Sequence, residues 1–360
     1  FNGDILVDAL LGIGVEGRLK SPFAEIVRRL KKIQLTPQIS GGKPKLVSLD
    51  VPTGNLKPQL AIAFHSSKNQ PNERVVPIGI PRIAETHFGP GDVQVFFPKR
   101  KPDSHKGENG RVVIVGGSRD FVGAPIFAAQ GALAGGVDLV DLFVPQVNFG
   151  TARKSAPNVL VKSFQGDSEK LTPEAVPEIL KSAKKNKAAI VLGPGLGRAP
   201  QTQQAVLEIA KKTKQPLVLD ADALLPSFAK RGWGRFSPKK VVLTPHKGEL
   251  KRLGGDAQKL TKKLRAVILQ KGKVDAIHSP DQTRWNDAGS PTLTTGGTGD
   301  TLAGLVGAML ARGVEAFEAA GIAAFLLGIT AEKLALKSES ITPQMIAKKI
   351  PSVVKKILDQ

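Results

Sequence analysis

Short apolar runs rich in β-branched residues alternate with helix-forming stretches along almost the whole chain. These runs lie at residues 5–7, 45–49, 75–78, 111–115, 139–144, 188–192, 217–219, 241–243 and 274–277. Strands that alternate with helices are typical of sheets whose connections cross back over a face of the sheet. The alternation therefore predicts an α/β protein with mostly parallel sheets.

A charged segment with two prolines, residues 97–103, divides this series of strands in two. Such a composition is typical of a connection between domains, and 360 residues exceed the usual size of one domain. We therefore predict two α/β domains, at residues 1–98 and 103–360. The chain opens inside a strand-like stretch, at residues 4–8 and without Met, so we expect part of the first domain to lie upstream.

The composition excludes several classes of protein. The chain has no cysteine, which rules out disulfide bonds, thiolate metal sites and a cysteine nucleophile, and we expect a cytoplasmic location. Its longest uncharged run, residues 121–137, contains Pro125, Gln130 and four glycines. Because that run is shorter than the roughly 20 apolar residues that span a bilayer, no membrane segment is predicted.

The 52 Lys and Arg residues outnumber the 31 Asp and Glu residues and give a formal charge of +21. Such an excess can attract polyanions such as nucleic acid. Here the charge is scattered in short pairs, such as Lys184-Lys185 and Lys262-Lys263, without interleaved aromatic residues. We interpret it as a solvated basic surface and expect no nucleic-acid partner. Nucleic-acid binding, with an affinity that falls steeply with salt, is the non-enzymatic alternative.

The strongest motif is Gly296-Gly297-Thr298-Gly299-Asp300, which leads into an apolar helical stretch over residues 301–312. Glycines let backbone N–H groups point at an anion, and a helix N-terminus adds partial positive charge, so the run predicts a phosphate site. A carboxylate beside that phosphate can accept the proton of an attacking hydroxyl, which makes Asp300 the candidate general base. The alternative is a plain helix start with Asp as its N-cap.

Further loops rich in Gly, Asp and His follow other strands of the second domain. They lie at residues 116–118, 193–197, 220–223, 244–249 and 271–275. Because ligands bind outside the carboxyl ends of parallel strands, we expect these loops on one rim. The glycines of 193–197, which lack the Rossmann spacing, indicate either a closely approaching ligand or a tight turn.

Two of these loops carry candidate side chains. His246 and Glu249 could position a substrate or a phosphate-bound water, or could belong to a helix start with a surface His. Lys271 could offer a cation to phosphate and Asp275 a carboxylate to a ribose or a cation, or both could belong to a turn. In the first domain, Asp8, Asp50 and Thr53 end strands of a Rossmann-like sheet. They could gather around a cation or a sugar, or form ordinary βα turns.

Taken in order, these segments resemble the NAD(P)H-hydrate repair enzymes, in the bifunctional form that joins an epimerase domain to a dehydratase domain. The resemblance covers nearly the whole chain. Its most specific segments are residues 103–107 leading to 110–118, then 123–125, 193–197, 244–249 and 296–300. The resemblance implies a Rossmann-like epimerase-type domain, with its first part upstream, followed by a ribokinase-like α/β domain.

In the second domain the resemblance implies a dehydratase that uses ADP, or ATP in eukaryotic relatives, with Mg²⁺. It phosphorylates the hydroxyl of the hydrated nicotinamide ring, and loss of phosphate restores the reduced cofactor. Asp300 matches the catalytic base and also contacts substrate. The other hydrate-binding positions are matched by Ala124, Gly195 and His246. The nucleotide-binding positions are matched by Lys271, Gly272, Lys273, Val274, Asp275 and Gly299.

In the first domain the resemblance implies R/S epimerisation of the hydrate and a bound potassium ion. The substrate-binding positions are matched by Gly12, Ile13, Gly14, Val15, Glu16, Gly17, Arg18 and Asp50, and the potassium ligands by Asp8 and Thr53. The family's Asn-Asn-Gly-Gly-Asp-Gly segment falls upstream of Asp8, so epimerisation is expected only where that segment is present. We also expect a homo-oligomer.

The chain departs from the family pattern elsewhere. The loops after residue 54 and between residues 249 and 271 are shorter, and Ser290 replaces the usual Asn in the segment 286–291, which could alter substrate contacts. The alternative function is a ribokinase-like kinase that acts on a small vitamin precursor. Asp300 would take the same proton there, but the phosphorylated product would be stable.

Overall fold

The computed structural model describes residues 5–12, 17–35, 45–185, 187–230, 236 and 240–360, without the side chains of residues 34 and 35. The chain divides into two compact units, Phe1–Arg82 and Ile83–Gln360. This division comes before the predicted boundary at residues 98–103. The reason is that Phe88 and Val93, which precede the charged segment, are buried in the core of the larger unit.

The smaller unit is built from one helix and four strands among its described residues. They are β1 (Ile5–Asp8), α1 (Phe23–Leu35), β2 (Lys45–Leu49), β3 (Leu60–Phe64) and β4 (Glu73–Val76). The strands form a parallel sheet in the order β1-β2-β3-β4, which confirms the Rossmann-like prediction. Strand β3 is missing from the prediction, since two of its five residues are alanines, which favour strands weakly.

In the described part of the larger unit, nine strands form one sheet. They are β5 (Arg111–Val115), β6 (Leu139–Val144), β7 (Leu160–Ser163), β8 (Ala189–Leu192), β9 (Leu217–Leu219), β10 (Val241–Leu243), β11 (Val267–Gln270), β12 (Asp275–His278) and β13 (Thr283–Asn286). Their order is β13-β12-β11-β10-β9-β8-β5-β6-β7. The strands from β11 to β7 are parallel, which agrees with the predicted mostly parallel sheet, although β7 and β11 are missing from the predicted strands. Strands β12 and β13 are antiparallel additions at one edge.

Helices cover both faces of this sheet. The remaining described helices are α2 (Arg82–Thr86), α3 (Pro90–Phe96), α4 (Gly123–Ala134), α5 (Gln146–Ser155), α6 (Val176–Lys185), α7 (Pro200–Lys212), α8 (Lys247–Arg252), α9 (Ala257–Leu264), α10 (Thr298–Ala311), α11 (Ala316–Ala335) and α12 (Pro343–Leu358). The central strand β5 sends Val112 and Ile114 into one core and Val113 and Val115 into the other. A strand buried on both faces is a continuous apolar run, which is why the sequence shows it so clearly.

Two glycines let α4 and α10 approach closely. A methyl group added at Gly131 would overlap the carbonyl oxygen of Thr301, and one added at Gly304 would overlap that of Ala128. This contact fixes α10, and with it the glycine-rich turn at its start. No helix in the parts of the chain described here is both long and apolar enough to span a membrane.

Candidate active site

The five loops predicted to carry chemistry follow five neighbouring strands. Strands β11, β10, β9, β8 and β5 lie side by side in that order and run parallel. Parallel neighbours end at the same edge of a sheet, so the loops after them share one rim, as predicted. The glycine-rich turn before α10 meets this rim, because Gly299 lies close to Lys271.

An ion pair joins two of these loops. The Lys271 Nζ donates to Asp220 Oδ1 at 2.9 Å, and the Thr244 hydroxyl donates to the same oxygen at 2.7 Å. Asp220 is only 2% exposed. Burial by itself lowers the pKa of Lys271, but the carboxylates of Asp220 and Glu249 outweigh it and hold that pKa above its ordinary value. Lys271 is therefore a fixed positive charge on the rim.

This charge lies at the N-terminus of α10. A methyl group added at Gly299 would stand 3.4 Å from Lys271 Nζ. The N-cap is Gly297, in the left-handed region with φ 95°, and Asp300 belongs to the first helical turn. Asp300 is thus not the N-cap, and that part of the alternative is wrong. The first-turn N–H groups of a helix have no intrahelical acceptor, so together with Lys271 they are suited to bind an anion such as phosphate.

Asp300 has an unusual protonation equilibrium. Burial, together with the carboxylates of Asp220, Asp222 and Glu249, raises its pKa to about 8, while the Lys271 ammonium opposes the shift. Such a carboxyl holds its proton more tightly than an ordinary Asp. Strongly shifted groups beside an anion site are candidates for acid–base chemistry.

His246 and Glu249 form a helix cap. The His246 Nδ1 accepts from the N–H of Gly248 at 3.0 Å and of Glu249 at 3.4 Å, and Glu249 accepts the His246 N–H at 2.9 Å. The local structure is therefore the helix start with an exposed His that the sequence left as an alternative. The Nε2 atom of His246 lies 3.5 Å from Glu249 Oε1. A hydrate contact by His246 stays a prediction.

Gly195 and Ala124 lie side by side, although 71 residues separate them. A methyl group at Gly195 would stand 2.8 Å from Phe121 Cβ and 3.2 Å from Ala124 Cβ, and its φ of +65° also favours glycine. Helix α4, which carries Ala124, also places Phe127 against Gly297. Both residues thus lie near the start of α10, and their contact with substrate stays a prediction.

The turn between β11 and β12 is held by Asp275. Its Oδ1 accepts the Gly272 N–H at 3.0 Å, and its Oδ2 accepts from Asn286 Nδ2, also at 3.0 Å. Burial raises the pKa of Asp275, although the Gly272 N–H opposes the shift. Gly272, Lys273 and Val274 are exposed at the tip of the turn, next to Lys271.

In the smaller unit, Asp8 and Thr53 are in direct contact. The fully buried Asp8 carboxylate accepts from the Thr53 hydroxyl and N–H, both at 2.7 Å, from the Ser48 hydroxyl at 3.0 Å and from the Leu10 N–H at 3.4 Å. Four donors fill a carboxylate's roughly four acceptor positions. Asp8 therefore has no free oxygen to offer a potassium ion.

The other predicted epimerase positions are only partly described. Ile13, Gly14, Val15 and Glu16 lie outside the described residues, while Gly12, Gly17 and Arg18 are exposed on either side of them. Asp50 adopts a positive φ of 65°, and its Oδ1 lies 3.6 Å from Lys68 Nζ. Asp50 and Asp8 lie at the same edge of the small sheet, since β1 and β2 are parallel neighbours.

The sequence reasoning assigned no role to Asp220, Asp222 or Asn286. Asp220 directly follows an apolar strand, and Thr244 follows the next strand in the same way. Because both residues directly follow neighbouring parallel strands, their contact could have been predicted from the sequence. Ser290, the other departure noted, accepts from the Thr292 hydroxyl at 3.0 Å and caps a short 3₁₀ helix. Within the described ranges, no three His, Cys, Asp or Glu side chains are arranged to hold a metal ion.

Two family models match the chain. The one described as NAD(P)H-hydrate dehydratase matches residues 112–352, and the one described as YjeF-related protein N-terminus matches residues 2–65. The first match includes all the rim loops and the start of α10. The second includes β1, β2 and β3. The order of the two domains agrees with that predicted.

Curated relatives match over nearly the whole chain. A bifunctional NAD(P)H-hydrate repair enzyme from Methanopyrus kandleri is 37% identical over 388 residues, which cover 99% of this chain and 74% of that protein. A relative of the same description from Methanocaldococcus jannaschii is 38% identical over 356 residues, which cover 98% of this chain and 69% of that protein.

Solved structures match the larger unit. An ADP/ATP-dependent NAD(P)H-hydrate dehydratase from Bacillus subtilis, co-crystallised with ATP and Mg²⁺, is 27% identical with a TM-score of 0.64, over 76% of this chain and 98% of that one. A ribokinase-like superfamily protein from Enterococcus faecalis is 26% identical with a TM-score of 0.67, over 76% and 97%. This chain belongs to the family of bifunctional NAD(P)H-hydrate repair enzymes.

Proposed function

We propose that the larger unit dehydrates the S form of NAD(P)H-hydrate in a reaction driven by ADP, with Asp300 as the general base. The observation that carries this proposal is the position of Asp300 in the first turn of α10, beside the anion site formed by that turn and Lys271. The named relatives support the substrate and the use of a nucleotide. Asp300 supplies the group that the chemistry needs.

In the first step the hydrate hydroxyl attacks the terminal phosphoryl group of ADP. A bond forms between the hydroxyl oxygen and phosphorus, the bond to the AMP oxygen breaks, and Asp300 takes the hydroxyl proton. Lys271 and the N–H groups of Gly299 and Asp300 bind the transferred phosphate, and the turn at residues 271–275 contacts the rest of the nucleotide. Mg²⁺ would be held by the phosphates themselves and would supply positive charge that stabilises the transferred phosphoryl group.

In the second step the new C–O bond breaks and phosphate leaves with the bonding electrons. The nitrogen lone pair of the nicotinamide ring assists this departure, and loss of a proton from the neighbouring carbon restores the double bond. The balance is hydrate and ADP giving reduced cofactor, AMP, phosphate and one proton, which is released to water. Ala124, Gly195 and His246 are the proposed contacts for the hydrate on the same rim.

We also propose that the smaller unit interconverts the R and S hydrates. Asp50 and the loop at residues 12–18 are the proposed substrate contacts, because they follow β2 and β1 at one edge of the sheet. Asp8 anchors this edge through its bonds to Thr53 and Ser48.

Incubation with hydrated NADH tests both proposals. With S-hydrate and ADP, we expect the absorbance of NADH to appear together with equal amounts of AMP and phosphate. Parallel runs with ATP measure the nucleotide preference. Consumption of R-hydrate beyond its uncatalysed rate reports epimerisation. A stable phosphorylated product without NADH would contradict the dehydratase assignment and favour a kinase.

The reaction should depend on pH through Asp300. With a pKa of about 8, this carboxyl is mostly protonated at pH 7, and only the ionised form can accept a proton. We therefore expect kcat/KM, measured with both substrates below saturation, to rise as the pH increases through about 8 and then to level off. A profile that is flat between about pH 6 and pH 9.5 would argue against Asp300 as the base.

A further inference from the structure

We propose that Asp220, braced by Thr244, is a positioning residue that holds the Lys271 ammonium at the anion site and keeps it from pairing with Asp300. This inference rests on the proposed function, since it concerns how the same site keeps its base free. Asp220 and Thr244 are not among the site residues predicted from the sequence.

The Lys271–Asp220 ion pair connects the loops after two strands that are not neighbours in the sheet. Lys271 lies after β11 and Asp220 after β9, and the strand between them, β10, is followed by Thr244. The two side chains therefore reach across the loop after β10 to form an ion pair of 2.9 Å. The Thr244 hydroxyl, which lies on that loop, donates to the same Asp220 oxygen at 2.7 Å. Thr244 is fully buried and Asp220 nearly so, so neither has room to move away.

Asp220 and Asp300 compete for the Lys271 ammonium. Lys271 attracts Asp300 as well as Asp220, and a direct pair between Lys271 and Asp300 would cost the base its affinity for a proton. Asp220 accepts a hydrogen bond from the ammonium at 2.9 Å, while Gly299, which has no side chain, leaves the ammonium open toward the helix start. A phosphate entering there meets Lys271 already in place, which avoids the cost of ordering a free lysine side chain.

Four charged side chains act on Asp300. Asp220 and Asp222 follow β9, Lys271 follows β11, and Glu249 lies on α8. Asp222 differs from Asp220 in its contacts, because its oxygens accept from the Gly197 N–H at 3.0 Å and from Arg198 Nε at 3.0 Å. Asp222 thus supplies negative charge without touching Lys271, which makes it the matched comparison.

The test uses three variants of the full chain, Asp220→Asn, Thr244→Val and Asp222→Asn, and two readouts. Calorimetry with ADP and Mg²⁺ measures nucleotide affinity without turnover, and the pH profile of kcat/KM reports the ionisation of Asp300. For Asp220→Asn we expect ADP to bind about ten-fold more weakly, because a charge-assisted hydrogen bond is lost. We also expect the rise of kcat/KM with pH to occur about one pH unit lower, because the negative charge of Asp220 no longer raises the pKa of Asp300.

The other two variants separate position from charge. Thr244→Val keeps the shape of the side chain and should weaken ADP binding in the same direction, about three-fold, with folding checked by its melting temperature. Asp222→Asn should move the rise of kcat/KM to lower pH and leave ADP affinity unchanged. If Asp220→Asn were too unstable to study, Thr244→Val would decide the question.

Wild-type ADP affinity in both Asp220→Asn and Thr244→Val would overturn this inference. The proposed function would stand in that case if Asp300→Asn were inactive. Full activity of Asp300→Asn would instead remove Asp300 as the base, and the ADP affinities would still show whether Asp220 positions Lys271. Equal losses of ADP affinity in Asp220→Asn and Asp222→Asn would assign the effect to charge alone and also overturn the positioning role.

Discussion

Asp300→Asn should slow dehydration of the S-hydrate by about 100- to 10,000-fold, the usual contribution of a general base. The amide is close in size and shape to the carboxylate but cannot accept the hydroxyl proton. Because the change leaves Lys271 and the N–H groups of α10 in place, ADP should still bind. Turnover measured at saturating ADP, together with ADP affinity from calorimetry, separates these two effects.

The same substitution should stabilise the fold at alkaline pH. The carboxyl has a pKa of about 8 in the folded chain against 3.8 for an ordinary Asp, so the folded state binds the proton more tightly. Stability is therefore lost as the pH rises from about 4 to about 8, and removing the charge restores it. We expect a gain on the order of 5 kcal/mol at about pH 9 that disappears near pH 4.

Chemical denaturation at several pH values measures this gain. Asp281→Asn is a suitable control, since Asp281 is an exposed residue in the turn between β12 and β13. The control should change neither the rate nor the pH dependence of stability. An inactive Asp300→Asn that is less stable than the parent at every pH would show damage to the fold rather than loss of a base.

Gly304→Ala is expected to destabilise the larger unit by about 3 kcal/mol or more. Its new methyl group would overlap the carbonyl oxygen of Ala128, which belongs to the backbone of α4 and cannot rotate away. Helix α10 would have to move off α4. Because the first turn of α10 carries Gly299 and Asp300, activity should fall together with stability.

The melting temperature of the larger unit and the dehydratase rate measure this effect. Gly150→Ala is the matched control, because Gly150 lies inside helix α5 with open space around it. There alanine should stabilise the protein by up to about 1 kcal/mol through its better helix propensity. If Gly304→Ala were as stable as Gly150→Ala, the close approach of α4 and α10 would not be essential.

Much of the fold follows from local patterns. The fully buried strands β5, β8, β9 and β10 are continuous apolar runs, so their existence and parallel order could be predicted. The edge strand β13 could not, because three of its four residues, Thr283 to Asn286, are polar and because it joins the sheet only through a hairpin with β12. The sequence also places residues 83–97 in the first domain, whereas in the structure they belong to the larger unit. Their partners in its core lie far along the chain, so local patterns do not show them.

The candidate site divides in the same way. The glycine-rich run and Asp300 are contiguous, so local sequence is enough to predict a helix start with a carboxylate beside it. The contact of Lys271 with Asp220 spans 51 residues and exists only because β9, β10 and β11 are parallel neighbours. Burial and the surrounding carboxylates, which raise the pKa of Asp300 to about 8, are likewise properties of the packed rim. The tertiary structure alone decided them, because charge interactions depend on distance and burial rather than on position in the chain.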